Sequence, residues 1–266
     1  MGKLLAIVFI VIAALSVYPI VAHVFTLPED ISTHGHAIDE QIHDTMLEAG
    51  ISFVGAQIVL AIFVWGFTNR REGSPVRNLP GGATLAVIAA VALVGTEVLA
   101  LGVVGQRAWA RVYFTPAKPD AIPIQAEAEQ FAYYFRYPGP DGKFGTIHAD
   151  KIDEGNQNYF GLDPANEVEA RDDIVTGQLV VPVNREVQLL MHAKDVGHSF
   201  YVRELRIQQD FVPGLDLAVH FTATKVGKFE IVCTQLCGLG HYNMKAYLNV
   251  MSEEDYERWL KEQSGP

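Results

Sequence analysis

The stretch Cys233–Met244 reads CTQLCGLGHYNM and brings two thiolates, an imidazole and a thioether close together in the chain. Sulfur and imidazole donors favour copper, zinc or iron–sulfur clusters, and the added thioether favours copper at a redox-active site. A mononuclear blue-copper site needs one cysteine, whereas two cysteines at this spacing can bridge two copper ions. The stretch therefore predicts a redox-active copper site in which both sulfurs are shared.

A further donor must come from another part of the chain, and His198 is the best candidate. It lies in the segment Asp195–Phe200, shortly after the apolar, strand-like run Val187–Met191. Asp195 either positions this histidine or its loop, or it solvates a turn. A disulfide between the two cysteines, or a zinc site, is the alternative interpretation, but neither explains the thioether of Met244.

The copper stretch and the segment Asp195–Phe200 together resemble subunit II of the haem–copper cytochrome c oxidases. The resemblance implies a dinuclear CuA centre with two copper ions, held by loops at one end of a Greek-key sandwich of the cupredoxin type. It also implies the ligands: Cys233 and Cys237 bridging both ions, His198 and Met244 on one ion, and His241 with the main-chain carbonyl of Gln235 on the other.

Two residues depart from the family's pattern. Gln235 stands where many members have a glutamate that helps to bind magnesium or manganese against the catalytic subunit, so this second metal site is doubtful. Phe131 stands in place of a surface tryptophan that receives the electron from cytochrome c. The resemblance therefore implies electron entry near Phe131 and Tyr133. The alternative is that these rings are only core and sheet-face residues.

The apolar residues of the first part of the chain form three runs of membrane-spanning length: Leu4–Val24, Ile51–Phe67 and Ala83–Gly105. Each is close to the ~20 residues that cross a bilayer. The first run is either a retained helix or a signal sequence; it is longer than a typical signal core, and no clear cleavage site follows. We expect a transmembrane helix or signal anchor over 1–25, a two-helix hairpin over 46–112 and an extracytoplasmic copper domain over 113–266.

The chain after Phe114 predicts an all-β domain, because short apolar segments recur between glycine- and proline-rich turns. The expected strands are Gln130–Tyr137, Gln178–Val183, Val187–Met191, Leu217–Thr222, Lys228–Cys233 and Lys245–Val250. Ser252–Asp255 predicts the capped start of a short final helix. The polar stretch Pro138–Asp173 is long for a strand connection and predicts a surface insertion.

Basic residues predict the orientation in the membrane. The connection between the second and third runs carries three arginines: Arg70, Arg71 and Arg77. The loop Thr26–Gly50 carries only acidic charges, so the basic connection should be cytoplasmic and the copper domain periplasmic, with the chain crossing a prokaryotic inner membrane several times. Arg107 and Arg111, just beyond the third run, weaken this signal.

The resulting hypothesis is an electron-transfer subunit of a membrane terminal oxidase, with oxygen chemistry in a haem-bearing partner subunit. A CuA subunit of a nitric oxide reductase would use the same ligands, and a membrane-tethered copper chaperone is a rival from another class. The net charge of −11 suggests a basic electron donor such as cytochrome c, and we expect no nucleic acid partner. Candidate docking residues are Glu167, Glu169, Asp172, Asp173, Asp210 and Asp216.

Two further groups of polar residues lie near the apolar runs. Glu97 lies inside the third run and is either part of a proton path or a glutamate satisfied by another subunit. His34, His36 and His43 have no tight metal-binding spacing, and we interpret them as surface residues.

Overall fold

The computed structural model describes residues 1–22, 24, 26–68, 70 and 81–264, so Arg71 and Arg77 of the basic connection lie outside the described residues. The chain divides into two compact units. The first comprises Met1–Pro28 and Ala37–Trp109, and the second comprises Glu29–His36 and Ala110–Pro266.

The first unit is helical. Its helices are α1 (Gly2–Val21), α2 (Gly35–Thr68) and α3 (Gly82–Leu99), which continues through the π-helical segment Ala100–Gly105 into α4 (Gln106–Tyr113). Three of the described segments are long and apolar enough to cross a membrane: Gly2–Val21, Gly35–Thr68 and Gly82–Tyr113. The chain is therefore a membrane-anchored protein.

Helix α2 begins well before the apolar run that predicted it. Most of the stretch 35–50 was predicted as loop because it lies between two apolar runs, yet it is helical. Its glutamate, glutamine, leucine, methionine and alanine residues are good helix formers, and the apolar turns that follow provide the nucleus from which the helix extends. The apolar run thus predicted the helix but not where it begins.

The second unit is a sandwich of two five-stranded sheets followed by a C-terminal helix, α5 (Glu253–Gln263). The strands are β1 (Ile122–Glu129), β2 (Ala132–Tyr137), β3 (Ile174–Thr176), β4 (Leu179–Pro182), β5 (Glu186–Ala193), β6 (His198–Val202), β7 (Ile207–Phe211), β8 (Leu217–Thr222), β9 (Gly227–Val232) and β10 (Lys245–Met251). The sheet orders are β3-β2-β1-β5-β8 and β4-β10-β9-β6-β7. The predicted cupredoxin-like fold is confirmed.

Alternation of side chains explains how these strands fill the core. Along β5 the residues facing inward are buried: Val187, Leu189, Met191 and Ala193. Strand β1 runs parallel to β5, with Ile124 beside Leu189 and Ala126 beside Met191. The sequence reading missed β1 because its alanines, glutamates and proline are poor strand formers, and packing overrides that weak preference. It also missed β3, β6 and β7.

A short segment from the region before α2, Glu29–His36, belongs to the β unit. Ile31 is fully buried, and its main-chain N–H donates to the carbonyl of Glu204 at 3.0 Å. The Thr224 N–H donates in turn to the carbonyl of Ile31 at 2.7 Å. His34 is consequently half-buried, and the interpretation of His34 as a surface residue is wrong, whereas His36 and His43 are exposed.

The insertion 138–173 lies between β2 and β3 and encloses a buried cation. Arg136 is fully buried and forms an ion pair with Asp173. It also donates to the side-chain oxygen of Gln125 at 2.9 Å, and its guanidinium lies 5.1 Å from the ring of Phe144. Asp173 is therefore a structural partner, and its prediction as a docking residue is wrong.

The C-terminal helix begins as predicted. The Ser252 hydroxyl accepts a hydrogen bond from the main-chain N–H of Asp255 at 3.1 Å. The helix packs Trp259 edge-on against Tyr137 of β2, with ring centroids 5.0 Å apart.

Arg136→Leu should lower the free energy of unfolding of the β unit by about 3–5 kcal/mol, because it leaves the Asp173 carboxylate buried without its cation. The loss can be measured by urea denaturation, following the near-ultraviolet circular dichroism of the aromatic residues around Trp259. The matched control is Lys143→Leu, which removes an exposed ion pair with Glu169 and should cost at most about 1 kcal/mol. Equal losses in the two variants would contradict the role given to Arg136.

Candidate metal centre

The proposed ligands come from two loops at one end of the sandwich. Cys233 directly follows β9, Met244 directly precedes β10, and a 3₁₀ turn, His241–Asn243, lies between them. His198 is the first residue of β6, the strand beside β9. The Cys233 N–H donates to the carbonyl of Met244 at 3.2 Å, which closes the loop at its base.

The sulfur atoms lie close together inside this loop. The two Sγ atoms of Cys233 and Cys237 are 3.8 Å apart, well beyond the ~2.05 Å of a disulfide. Both cysteines are free and buried. The Sγ of Cys237 lies 3.7 Å from the Sδ of Met244 and 3.6 Å from Nδ1 of His241. Four soft or borderline donors thus surround one small volume.

His198 is held with one ring nitrogen directed at a carboxylate. Its Nε2 lies 2.8 Å from Oδ1 of Asp195, which leaves Nδ1 buried and without a hydrogen-bond partner among the described residues. Donor atoms of His198, Cys233 and Cys237 all lie within 4.8 Å of one another. An imidazole with one ring nitrogen on a carboxylate and the other unused has the usual form of a metal-ligating histidine.

Asp195 positions the site, as one of its two sequence interpretations stated. Besides His198, its carboxylate accepts hydrogen bonds from the main-chain N–H groups of Gln130 and Val196, at 2.8 and 2.6 Å. Partial burial acts to raise the pKa of Asp195, but these hydrogen bonds outweigh it and hold the pKa below its usual range. The carboxylate therefore remains ionised and can orient the histidine.

Gln235 faces two directions. Its main-chain carbonyl oxygen lies 3.1 Å from the Sγ of Cys233, inside the group of donors. Its side chain is exposed and donates to Oδ2 of Asp210 at 3.2 Å. The main chain is thus available as a ligand, whereas the amide side chain is engaged at the surface.

The buried donors fit a soft metal ion. Burial, followed by the neighbouring Cys233, raises the pKa of the Cys237 thiol to about 11. Without a metal, a thiol of this kind stays protonated, and a bound ion must displace its proton. Two thiols, a thioether, two imidazoles and one carbonyl match the donor preferences of copper, and the unused Nδ1 of His198 completes the set.

The two aromatic residues predicted for electron entry lie in different surroundings. Phe131 is 40% exposed, and its ring covers the main chain of Gly238 and Gly240 in the copper loop. Tyr133 is buried, and its hydroxyl donates to the carbonyl of Ser199 at 2.7 Å, next to His198. Phe131 therefore lies between the loop and solvent, whereas Tyr133 supports the ligand strand from inside.

Gln130 is a site residue that sequence reasoning missed. Its side-chain amide donates to the carbonyl of Cys237 at 2.5 Å, while its main-chain N–H reaches Asp195. It therefore links the two ligand loops. The only sequence signal for Gln130 was its position at the start of the aromatic segment Gln130–Tyr137, because no spacing rule connects Gln130 with Cys237.

The sequence of this chain is similar to those of several known proteins. The family model described as "Cytochrome C oxidase subunit II, periplasmic domain" matches residues 124–251. An alternative cytochrome c oxidase subunit 2 from Bradyrhizobium diazoefficiens is 32% identical over 235 residues, covering 88% of this chain and 82% of that protein. A cytochrome c oxidase subunit 2 from Cereibacter sphaeroides is 28% identical, covering 88% and 78%.

Among solved structures, the periplasmic domain of subunit II of the cytochrome oxidase of Bradyrhizobium japonicum is similar, at a TM-score of 0.41 and 24% identity. The match covers 56% of this chain and 96% of that domain.

Gly240→Ala should destabilise the β unit by about 1–3 kcal/mol, because a Cβ atom there would overlap the ring of Phe131. The additional change Phe131→Ala should remove most of this penalty, and a double-mutant cycle of unfolding free energies measures the coupling. Gly177→Ala is the control, since its Cβ would come no closer than 3.9 Å to another residue's atom. Additive effects of the two substitutions would show that the ring does not pack on the loop.

Proposed function

The chain belongs to the subunit II family of the cytochrome c oxidases, and from this premise we propose that its β unit carries a dinuclear CuA centre. In this proposal electrons pass from cytochrome c through the centre to the haem-bearing subunit that reduces oxygen. The observation that carries it is the convergence of the donors at one end of the sandwich. They are His198, Cys233, the carbonyl of Gln235, Cys237, His241 and Met244.

Two copper ions that share one electron through two thiolates change oxidation state with little change of geometry. The chain's own residues keep that rearrangement small, because His198, Cys233, Cys237 and Met244 are all buried. Asp195 fixes the orientation of one histidine, and the main-chain bond between Cys233 and Met244 fixes the ends of the loop. Burial also keeps water away from the donor atoms.

We assign the ligands as the family resemblance suggests. Cys233 and Cys237 would bridge the ions, His198 and Met244 would complete the ligands of one, and His241 with the Gln235 carbonyl would complete those of the other. The neutral side chain of Gln235, hydrogen-bonded to Asp210, does not supply the carboxylate of an interface magnesium or manganese site. The sulfur and imidazole donors of the loop are the basis on which we propose copper as the metal of this centre.

The proposed electron entry is the exposed face of the copper loop. Phe131 covers the loop main chain, and the neighbouring apolar side chains Leu236, Leu239 and Tyr242 are 79–96% exposed. Asp210 lies beside this surface through its contact with Gln235. A basic cytochrome c would be steered by the acidic charge and would dock on the apolar centre. Tyr133 follows Phe131 by two residues in the aromatic segment and is the second entry residue of the proposal.

The topology follows from the charge distribution. We propose that the copper unit lies on the periplasmic side of a prokaryotic inner membrane and that the connection carrying Arg70 lies in the cytoplasm. The proposed limits are an anchor over 1–25, a helical hairpin over 46–112 and the copper domain over 113–266, and the segment Glu29–His36 joins the copper domain through its bonds to Glu204 and Thr224. A copper chaperone remains the rival function, because it would also need paired cysteines.

The full chain should bind two copper ions, and Cys233→Ser or Cys237→Ser should reduce this to at most one, because a single thiolate cannot replace two bridges. Met244→Leu should retain both ions and shift the reduction potential, since it removes only a weak donor. Metal analysis, electron paramagnetic resonance and redox titration measure these outcomes. One copper per chain, zinc in its place, or a Cys233–Cys237 disulfide in the loaded protein would reject CuA and favour the chaperone.

The rate of electron transfer from a basic cytochrome c should fall as salt rises, because charge steering is screened beyond a Debye length of ~8 Å at physiological ionic strength. Asp210→Asn should reduce this salt dependence. The comparison variant Glu169→Gln removes a docking candidate whose charge is already paired with Lys143, and it should reduce the dependence less than Asp210→Asn does. A rate that does not change with salt would exclude an acidic docking surface.

A further inference from the structure

A cavity of about 600 Å³ lies between the insertion 138–173 and the outer face of the sheet that contains β1, β5 and β8. Its volume is within the ~300–1,000 Å³ range of small-molecule sites. The proposed copper ligands are carried by the other sheet and its loops, so this cavity has no part in the proposed centre. It is the feature that the long insertion creates.

The walls of this cavity are mainly apolar. The insertion contributes Ile147, Ile152 and Phe160, and the sheet contributes Leu190 and Leu217. The insertion is held in place by the stack of Tyr159 on Tyr134, with ring centroids 3.6 Å apart, in addition to the buried Arg136–Asp173 pair. A hydrocarbon or aromatic group would therefore find a preformed, partly enclosed surface.

One buried carboxyl group lines this mainly apolar space. Glu127 is 7% exposed, and its Oε1 has no hydrogen-bond partner among the described residues. Its Oε2 lies 3.8 Å from Nδ1 of His192, the neighbouring residue on β5. Burial raises the pKa of Glu127 to about 7, and the nearest cation, Lys194, only partly opposes this. A buried polar atom without a partner is costly and requires an explanation.

Among the described residues, Lys194 forms no ion pair with Glu127. Its Nζ already bonds Glu129 at 2.5 Å and Glu154 at 2.6 Å. A further carboxylate, Asp216, lines the cavity. The polar part of the cavity thus combines an unused acceptor with an excess of acidic groups, and its possible donors, the side chains of His192 and Gln125, do not bond Oε1 of Glu127.

We propose that this cavity binds a small organic ammonium ion, whose N–H groups bond Oε1 of Glu127 and whose apolar body packs against Ile152 and Phe160. The cation supplies both the missing hydrogen-bond donor and the missing positive charge. A divalent metal ion fits less well, because within the described ranges no third metal-ligating group joins Glu127 and His192. The proposal is independent of the copper function.

The test uses the full chain in lipid nanodiscs and titrates phenethylammonium by isothermal calorimetry, with empty nanodiscs as the blank. Phenethyl alcohol is the neutral probe of similar shape. Glu127→Gln removes the charge, and Ala218→Leu narrows the cavity from an exposed position of β8. Glu169→Gln is the control, because it removes an exposed acid of the same insertion that does not line the cavity.

We expect saturable binding of phenethylammonium that is at least tenfold weaker in Glu127→Gln, weaker in Ala218→Leu and unchanged in Glu169→Gln. Partition of the probe into lipid is the same for every variant, so the differences report the cavity. The proposal is overturned by the absence of saturable binding, by equal affinity in Glu127→Gln, or by equally tight binding of phenethyl alcohol. If Glu127→Gln does not fold, the Ala218→Leu and alcohol comparisons still decide.

Discussion

The register of β9 against β10 is the constraint on which the candidate metal centre depends. Val232 faces Lys245 across this antiparallel pair, so the next residues outward, Cys233 and Met244, must meet at the mouth of the loop. Their main-chain bond closes the loop that carries Cys237 and His241. The adjacent strand β6 joins β9 through Tyr201 and Val232, which brings His198 to the same end. A shift of one residue in the register of β9 against β10 would separate Cys233 from Met244.

Much of this arrangement could be predicted from sequence, because metal donors are chemically specific and their spacing is local. The three apolar runs were equally informative, because their length alone predicts membrane-spanning helices. The missed features depend on distant partners. Strand β1 consists of weak strand formers, and only its parallel pairing with β5 makes it a central strand. Asp173 has the sequence context of a surface acid, and only the folded insertion encloses it with Arg136. No local sequence feature connects Gln130 with Cys237.

The insertion gives the sheet a second packed face. In a simple sandwich the outer face of β1 and β2 would be solvated, and Arg136, Tyr134 and Glu127 would be ordinary polar surface residues. The insertion 138–173 covers these residues, and they differ in whether they find a partner. Arg136 is paired with Asp173, Tyr134 is stacked on Tyr159, and Oε1 of Glu127 has no hydrogen-bond partner among the described residues. Burial of polar groups is stabilising only where each finds a partner. The unsatisfied carboxyl group of Glu127 is therefore the basis of the proposed binding site.

The segment Glu29–His36 has a consequence for how this unit can be isolated. Strand β8 is the last strand of its sheet, and the segment bonds the main chain just beyond it, with a bridge between Ser32 and Ala223. Exposed strand edges recruit other chains, and natural proteins cover them. The cover here is encoded before the helical hairpin, so a fragment cut at the start of the β strands would lose it. The β unit is thus discontinuous in sequence. The segment that protects its strand edge from aggregation is joined in sequence to the membrane-anchoring helices.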